Sequence, residues 1–331
     1  MILINGSSNK PLGTNISNKL KIKLSECVLD KFSDGEIQVT LKDNVRNQDV
    51  FIIQSGYSNT DLNYNTNDYL METLILIDAC KRSMAKTINV IMPYYPYSRQ
   101  DKKDESRSPI TAKLVANMLT QSGINRLVVM DLHSSQIQGF FDIPVDNIYS
   151  INIVINYFQE YIFNCYSDEE KDNKFIVISP DAGAVKRTLK FAKLMGLDTA
   201  ILHKQRNYGK KNTVEKSILV ADKDDLNGKT AIICDDICDT GGTLTKSVDI
   251  LVENGILDVI VVITHGILSG EAIDKINKCE YISKIIVTNS VDQNNNIKKC
   301  RKLEVINIDT LMTQVINCLN TGESISQLFE F

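Results

Sequence analysis

Apolar residues recur along this chain in short, largely β-branched runs separated by segments with helical spacing, the alternation expected of a mainly parallel α/β protein. In the first half, the runs at 50–54, 88–92 and 126–130 predict strands, and 68–85 and 109–121 predict helices. The second of these helices carries its own punctuation: Ser108 as N-cap, Pro109 in the first turn, Ile110, Leu114 and Met118 on one face, and Gly123 as the stop. The second half repeats the plan, with strands at 175–179, 199–202, 230–234, 258–264 and 283–288 and helices near 184–195 and 243–254. Two similar domains, 1–149 and 150–331, are expected to meet where Pro144 and Asn147 weaken regular structure. A ligand site built from both would lie beyond the carboxyl ends of their strands. The polar stretches 59–67, 167–173 and 292–296 read as surface loops.

Composition narrows the class. At 331 residues with 43% hydrophobic and 24% charged side chains, the chain is globular and long enough for two domains. A net charge of −4 argues against a general nucleic-acid face and leaves room for local basic patches. The longest apolar runs are of strand length and no secretory leader pattern opens the chain, so a cytoplasmic protein without a membrane partner is expected. Eight cysteines lack CxxC spacing and mostly lie in apolar stretches, as reduced thiols do.

The most specific stretch is IICDDICDTGGTLT at 232–245. A β-branched strand runs into Asp235 and Asp236, then Asp239, Thr240, Gly241, Gly242 and Thr243, then a helix with Leu244, Val248 and Leu251 on one face. Adjacent glycines let backbone approach an anion, a helix N-terminus offers free N–H groups, and the carboxylates can accept hydrogen bonds from a vicinal diol. This set predicts a cradle for a phosphorylated ribose, the plain alternative being a tight turn with acidic caps. Elsewhere, Phe32 offers an aromatic face beside the acceptors Asp34 and Glu36, suited to an adenine amino group, although a simple turn at Asp34 and Gly35 also fits. Arg99 and Gln100 follow a predicted strand and a proline-rich turn, where Arg99 can fork onto phosphate oxygens. His133 and Asp181 close one predicted strand in each half. The segment 203–215, HKQRNYGKKNTVE, concentrates cations and reads as a basic lid.

The loop ending DTGGT resembles the ribose 5-phosphate loop of phosphoribosyltransferases and of ribose-phosphate pyrophosphokinases. KFSDGE (31–36), DNVR (43–46), PYYPYSRQD (93–101), PITAK (109–113), DLH (131–133), QIQGFFD (136–142), PVDN (144–147), SPD (179–181) and ESISQLFE (323–330) resemble the pyrophosphokinases over essentially the full length. That resemblance implies two phosphoribosyltransferase-like domains, each a mainly parallel sheet flanked by helices. It implies transfer of the diphosphoryl group of Mg-ATP to ribose 5-phosphate, with Phe32, Asp34, Glu36, Arg99, Gln100 and Asp101 on ATP. His133 and Asp181 are implied around Mg²⁺, Arg187 near the sugar phosphate, and Lys204 and Arg206 as transition-state cations. A homo-oligomer is implied, a hexamer by expectation, in which the Phe32 loop serves a neighbouring subunit. Phosphate and ADP are the implied effectors, at Arg46, Arg82, Ser324 and Phe329, with Met84 where such enzymes commonly carry serine.

No GxxxxGK[ST], no GxGxxG and no kinase catalytic signature is present, so neither a P-loop enzyme nor a protein kinase is expected. Two other readings compete: a phosphoribosyltransferase that consumes the activated sugar, which shares the cradle but gives KFSDGE and His133 no task, and a noncatalytic regulatory homologue.

Overall fold

The computed structural model describes residues 1–58, 63–206, 214–221 and 226–328, with the backbone alone in 203–206 and 214–221. The first part of the chain runs β1 (Ile2–Asn5), α1 (Lys10–Leu20), β2 (Cys27–Lys31), β3 (Ile37–Leu41), β4 (Asp49–Ile53), α2 (Thr66–Arg82), β5 (Thr87–Met92), α3 (Thr111–Ser122), β6 (Arg126–Met130) and β7 (Val145–Ile148). There follow α4 (Ile151–Tyr157), α5 (Asp168–Lys174), β8 (Phe175–Ser179), α6 (Val185–Met195), β9 (Thr199–Arg206), β10 (Val214–Ala221), β11 (Thr230–Cys238), α7 (Gly242–Glu253) and β12 (Asp258–Gly266). The remainder is α8 (Ala272–Lys278), β13 (Ile282–Thr288), α9 (Asn294–Lys299), β14 (Leu303–Ile306) and α10 (Asp309–Thr321).

One sheet has the order β1-β4-β5-β6-β7 and is parallel throughout. The other has the order β10-β9-β8-β11-β12-β13-β14 and is parallel except for β10 at its edge. β2 and β3 form a separate antiparallel hairpin. Strands covered on both faces read as continuous apolar runs, and β8 is buried at every position. Its alternate residues serve different cores: Ile176 and Ile178 pack with Ala231, Ile233, Val248 and Leu251, whereas Phe175 and Val177 pack with Ile232, Cys234, Phe158 and Phe191.

Two compact units divide at Ser150 and Ile151. The second does not run to the chain end as the expected span 150–331 has it, because Asn289–Asp292 and the chain from Asn307 onward return to the first. The return is pinned inside that unit, where Asn9 Nδ2 donates to the Asn289 carbonyl (2.8 Å) and the Ile308 N–H donates to Asn289 Oδ1 (2.7 Å).

Helix α3 corrects the expected face. It starts at Thr111, not after a Ser108 cap, because the Ala112 N–H is taken by the Gln100 carbonyl (3.2 Å) and no side chain caps the turn. Ala112, Val115, Ala116 and Leu119 are buried while Leu114 is 57% exposed. Small alanines bring the helix close to its neighbours, and a search for bulky residues overlooks that stripe. Gly123 does end the helix, at φ 112°. The charge run at 167–173 is a helix, α5, closed by a capping box between Ser167 and Glu170. Asn65 and Asp68 make the same box at α2, and 294–299 form α9, so only part of each polar stretch is loop. All eight cysteines are free thiols, and no helix among the described residues is long and apolar enough to cross a membrane.

Candidate active site

β11 runs on to Cys238, which places Asp235 and Asp236 inside the strand and reduces the loop to Asp239, Thr240 and Gly241. Gly241 turns the chain at φ 71°, and α7 starts at once at Gly242 with no side chain capping its first turn. A Cβ added at Gly242 would have Thr240 Oγ1, 3.9 Å away, as its nearest neighbour. The open first turn, flanked by exposed Thr240 and Thr243, therefore leaves backbone N–H groups and two hydroxyls to face an anion. Behind it Asp236 is buried and Asp235 half-buried. Burial first, then the charge of Asp236, then that of Asp181, pushes the Asp235 carboxyl well above the usual carboxylate range.

Asp181 stands between β8 and α6, where its Oδ1 accepts from the N–H groups of Gly183 (2.9 Å) and Ala184 (3.1 Å). The Ser179 hydroxyl donates to the Asp181 carbonyl (2.7 Å), so the residue is held at both ends. Arg187, in the first turn of α6, is half-buried within electrostatic reach of Cys234; burial pushes that thiol up to about 12 against the lowering effect of the guanidinium. The second unit thus brings Asp181, Arg187 and the 235–243 strand and turn into one charged neighbourhood. Lys204 and Arg206, expected in a lid, lie within β9, their Cα partners on β10 being Ser217 and Val214. The 207–213 portion of that expected lid is outside the described residues.

In the first unit, β6 ends at Met130, and exposed His133 lies beyond the strand it was expected to close. Asp131 turns the chain there with φ 39°, and its carboxylate accepts from the N–H (3.1 Å) and the hydroxyl of Ser150. Arg99 and Gln100 are exposed and Asp101 half-buried in the loop after β5. Gln100 is partly committed to α3, since its Oε1 accepts from the Thr111 hydroxyl (2.7 Å). The hairpin tip is a tight turn in which the Phe32 N–H donates to the Glu36 carbonyl (2.8 Å) and Gly35 has φ 96°. Phe32 projects from it 51% exposed, with Asp34 and Glu36 also exposed.

Of the expected effector residues, Arg46 and Arg82 lie on adjoining segments, because the Asn47 N–H donates to the Met84 carbonyl (2.8 Å) just past α2. Arg82 is paired with Asp78 (2.6 Å), and Ser324 Oγ accepts from the Ser326 N–H (3.2 Å). Phe329 is outside the described residues.

The profile of the N-terminal domain of ribose phosphate pyrophosphokinase matches residues 1–123, and that of the phosphoribosyl synthetase-associated domain matches 213–330. Ribose-phosphate pyrophosphokinase 2 of Schizosaccharomyces pombe is 42% identical over 98% of this chain and 95% of its own length. Ribose-phosphate pyrophosphokinase A of Dictyostelium discoideum is 41% identical over 99% of this chain and 97% of its own length. The chain belongs to the ribose-phosphate pyrophosphokinase family. The crystal structure of phosphoribosylpyrophosphate synthetase from Mycobacterium smegmatis superposes with a TM-score of 0.86 at 36% identity, covering 97% of this chain and 99% of that one.

Two residues that no local sequence pattern marks also touch the turn at 239–240. The Ser269 hydroxyl donates to Asp239 Oδ1 and its N–H to the Asp239 carbonyl (3.0 Å), while Lys275 Nζ reaches the Thr240 carbonyl (3.4 Å). Both lie some thirty positions from the loop they hold, and only β12 running parallel to β11 makes them neighbours. The SG pair at 269–270 signals a turn but not its partner.

Proposed function

We propose that the chain transfers the diphosphoryl group of ATP to ribose 5-phosphate, with the 235–243 strand and turn as the sugar-phosphate site. The observation that carries this reading is the uncapped, glycine-opened start of α7, reached by a three-residue turn from the strand that carries Asp235 and Asp236. The 5-phosphate is held by the N–H groups and hydroxyls of 240–243, and the ribose hydroxyls by Asp235 and Asp236. The anomeric oxygen attacks the β-phosphorus in line, its proton passes to solvent, and the bond from the β-phosphorus to the bridging oxygen breaks to release AMP. Arg99, Gln100 and Asp101 hold the polyphosphate of ATP, and Phe32, Asp34 and Glu36 hold its base. Lys204 and Arg206 supply positive charge where the transferring group gains negative charge.

Asp235 lies within electrostatic reach of both Asp236 and Asp181, a neighbourhood of carboxylates suited to a hard divalent cation, and one Asp181 oxygen is tied to backbone. Among the described residues no three ligating side chains form a ready cage. When bound, Mg²⁺ neutralises polyphosphate charge; Asp181 and His133 are the residues assigned to it. The active form is a cytoplasmic homo-oligomer, a hexamer, in which Phe32 serves a neighbour, and phosphate and ADP act at Arg46, Arg82, Ser324 and Phe329.

Incubating the pure protein with ribose 5-phosphate, ATP and Mg²⁺ tests the reading: AMP and 5-phosphoribosyl 1-diphosphate should appear in equal amounts. Diphosphate release that needs a nucleobase and yields no AMP would favour a phosphoribosyltransferase, and an inert pure protein a regulatory homologue.

A further inference from the structure

The β2–β3 hairpin is a sheet of its own, held to the first unit by the packing of Cys27, Leu29, Val39 and Leu41 and not by strand pairing with the five-stranded sheet. Its tip has a further support. Lys31, the last residue of β2 and the neighbour of Phe32, reaches three partners at once: Asp68 Oδ2 at 2.9 Å, the Asn63 carbonyl at 3.1 Å and the face of the Tyr64 ring at 4.0 Å from its centroid. Lys31 and Asp68 have side chains only 22% and 17% exposed, so water competes weakly for this ammonium.

The partners are themselves fixed. Asp68 accepts from the Asn65 N–H (2.7 Å) in the capping box of α2. Tyr64 stacks on Tyr69, ring centroids 5.2 Å apart, and Tyr69 is wholly buried in the same helix. Phe32 follows Lys31 directly, at the start of the turn, and the two differ sharply in exposure: the Lys31 side chain is 22% exposed against α2, whereas Phe32 is 51% exposed.

We infer that Lys31, Tyr64 and Asp68 form a bracket that sets the aim of Phe32, making Lys31 and Tyr64 positioning residues for ATP. Neither residue touches the nucleotide; they act by holding the end of β2 against α2, next to Phe32. The inference rests on the reading of Phe32 as the adenine contact, and the test separates the two.

Steady-state kinetics on the full chain, with ATP and ribose 5-phosphate each varied, should show Lys31→Met and Tyr64→Leu raising the KM for ATP about 10-fold, the loss of one shielded ion pair and ring contact. The KM for ribose 5-phosphate and kcat at saturating ATP should stay within about 2-fold. Tyr64→Phe, which keeps the ring face, and Lys31→Arg, which keeps charge and stacking, should restore most of the ATP affinity. An unchanged KM for ATP in Lys31→Met, when Phe32→Ala raises it, overturns the bracket. Equal rises in both KM values, or a fall in kcat not recovered by Lys31→Arg, also overturn it, since a loss of general structure would look that way. If Phe32→Ala itself leaves the KM for ATP unchanged, the adenine reading fails and the bracket with it.

Discussion

Each sheet has a central strand followed by a loop and a helix, and the two junctions are built on opposite principles. After β11 the chain needs only Asp239, Thr240 and Gly241 before α7 begins. After β5 it takes residues 93–110 before α3, with Tyr97 at φ 60° and Arg107 at φ 68°, and with Tyr95 Oη donating to the Ala112 carbonyl (2.9 Å) to tie the loop to the helix. The short junction presents backbone N–H groups, which suit a single phosphate in the proposed sugar-phosphate site. The long one presents side-chain cations, Arg99, Lys102, Lys103 and Arg107, which can span a polyphosphate. Small, fixed ligands favour backbone donors, whereas extended ones favour reach.

The strongest way to break that contrast is at Gly241. Gly241→Val puts a β-branched residue into the left-handed region, a strain on the order of 1–3 kcal/mol, and should raise the KM for ribose 5-phosphate up to about 100-fold while sparing ATP. Equal effects on both substrates would show that the short junction is a structural turn and no more. Next in size, Arg99→Ala should raise the KM for ATP about 30-fold through loss of a charge-assisted contact, with Arg99→Lys recovering only part of it. A rise confined to ribose 5-phosphate would reverse the assignment of the two junctions.

A smaller effect concerns pH. Asp235 has a folded pKa above its unfolded value, so the folded state binds the extra proton, and stability without ligand should fall as pH rises from the ordinary carboxylate range toward that raised value. Asp235→Asn should then raise the Tm of the ligand-free protein by a few degrees at pH 8, and the gain should disappear near pH 4. A gain that persists at pH 4 would mean that packing, not charge, sets it. Smallest of all, Leu114→Gln on α3 should change unfolding stability by no more than about 0.5 kcal/mol in denaturant titration, because the buried stripe lies elsewhere on that helix. A cost near that of a core deletion, about 2–5 kcal/mol, would restore the Ile110, Leu114 and Met118 face.

What could be read from the sequence follows from how local the determinant is. β11, Gly241 and the helix after them are consecutive, and strand, glycine and helix signals there agree, so the strand, turn and helix of the proposed cradle were legible apart from the depth of Asp235 and Asp236 in the strand. β8 and β6 were legible to the residue because central parallel strands are unbroken apolar runs. α3 misled because its sheet-facing stripe uses alanines, and α5 because its capping box hides in a run of charge. Ser269 on Asp239, and Lys31 on Asp68 and Tyr64, join positions far apart in sequence, and no local pattern announces them.

The return of the chain to the first unit has a consequence for how the protein is made. α10 packs on α1, whose Leu12 and Ile16 are wholly buried, and Met312, Val315 and Ile316 of α10 are wholly buried too. A chain made N-terminus first therefore leaves α1 without α10 until 309–321 have been synthesised, by which point every residue of the second unit has already been added. The half begun first on the ribosome is the half finished last.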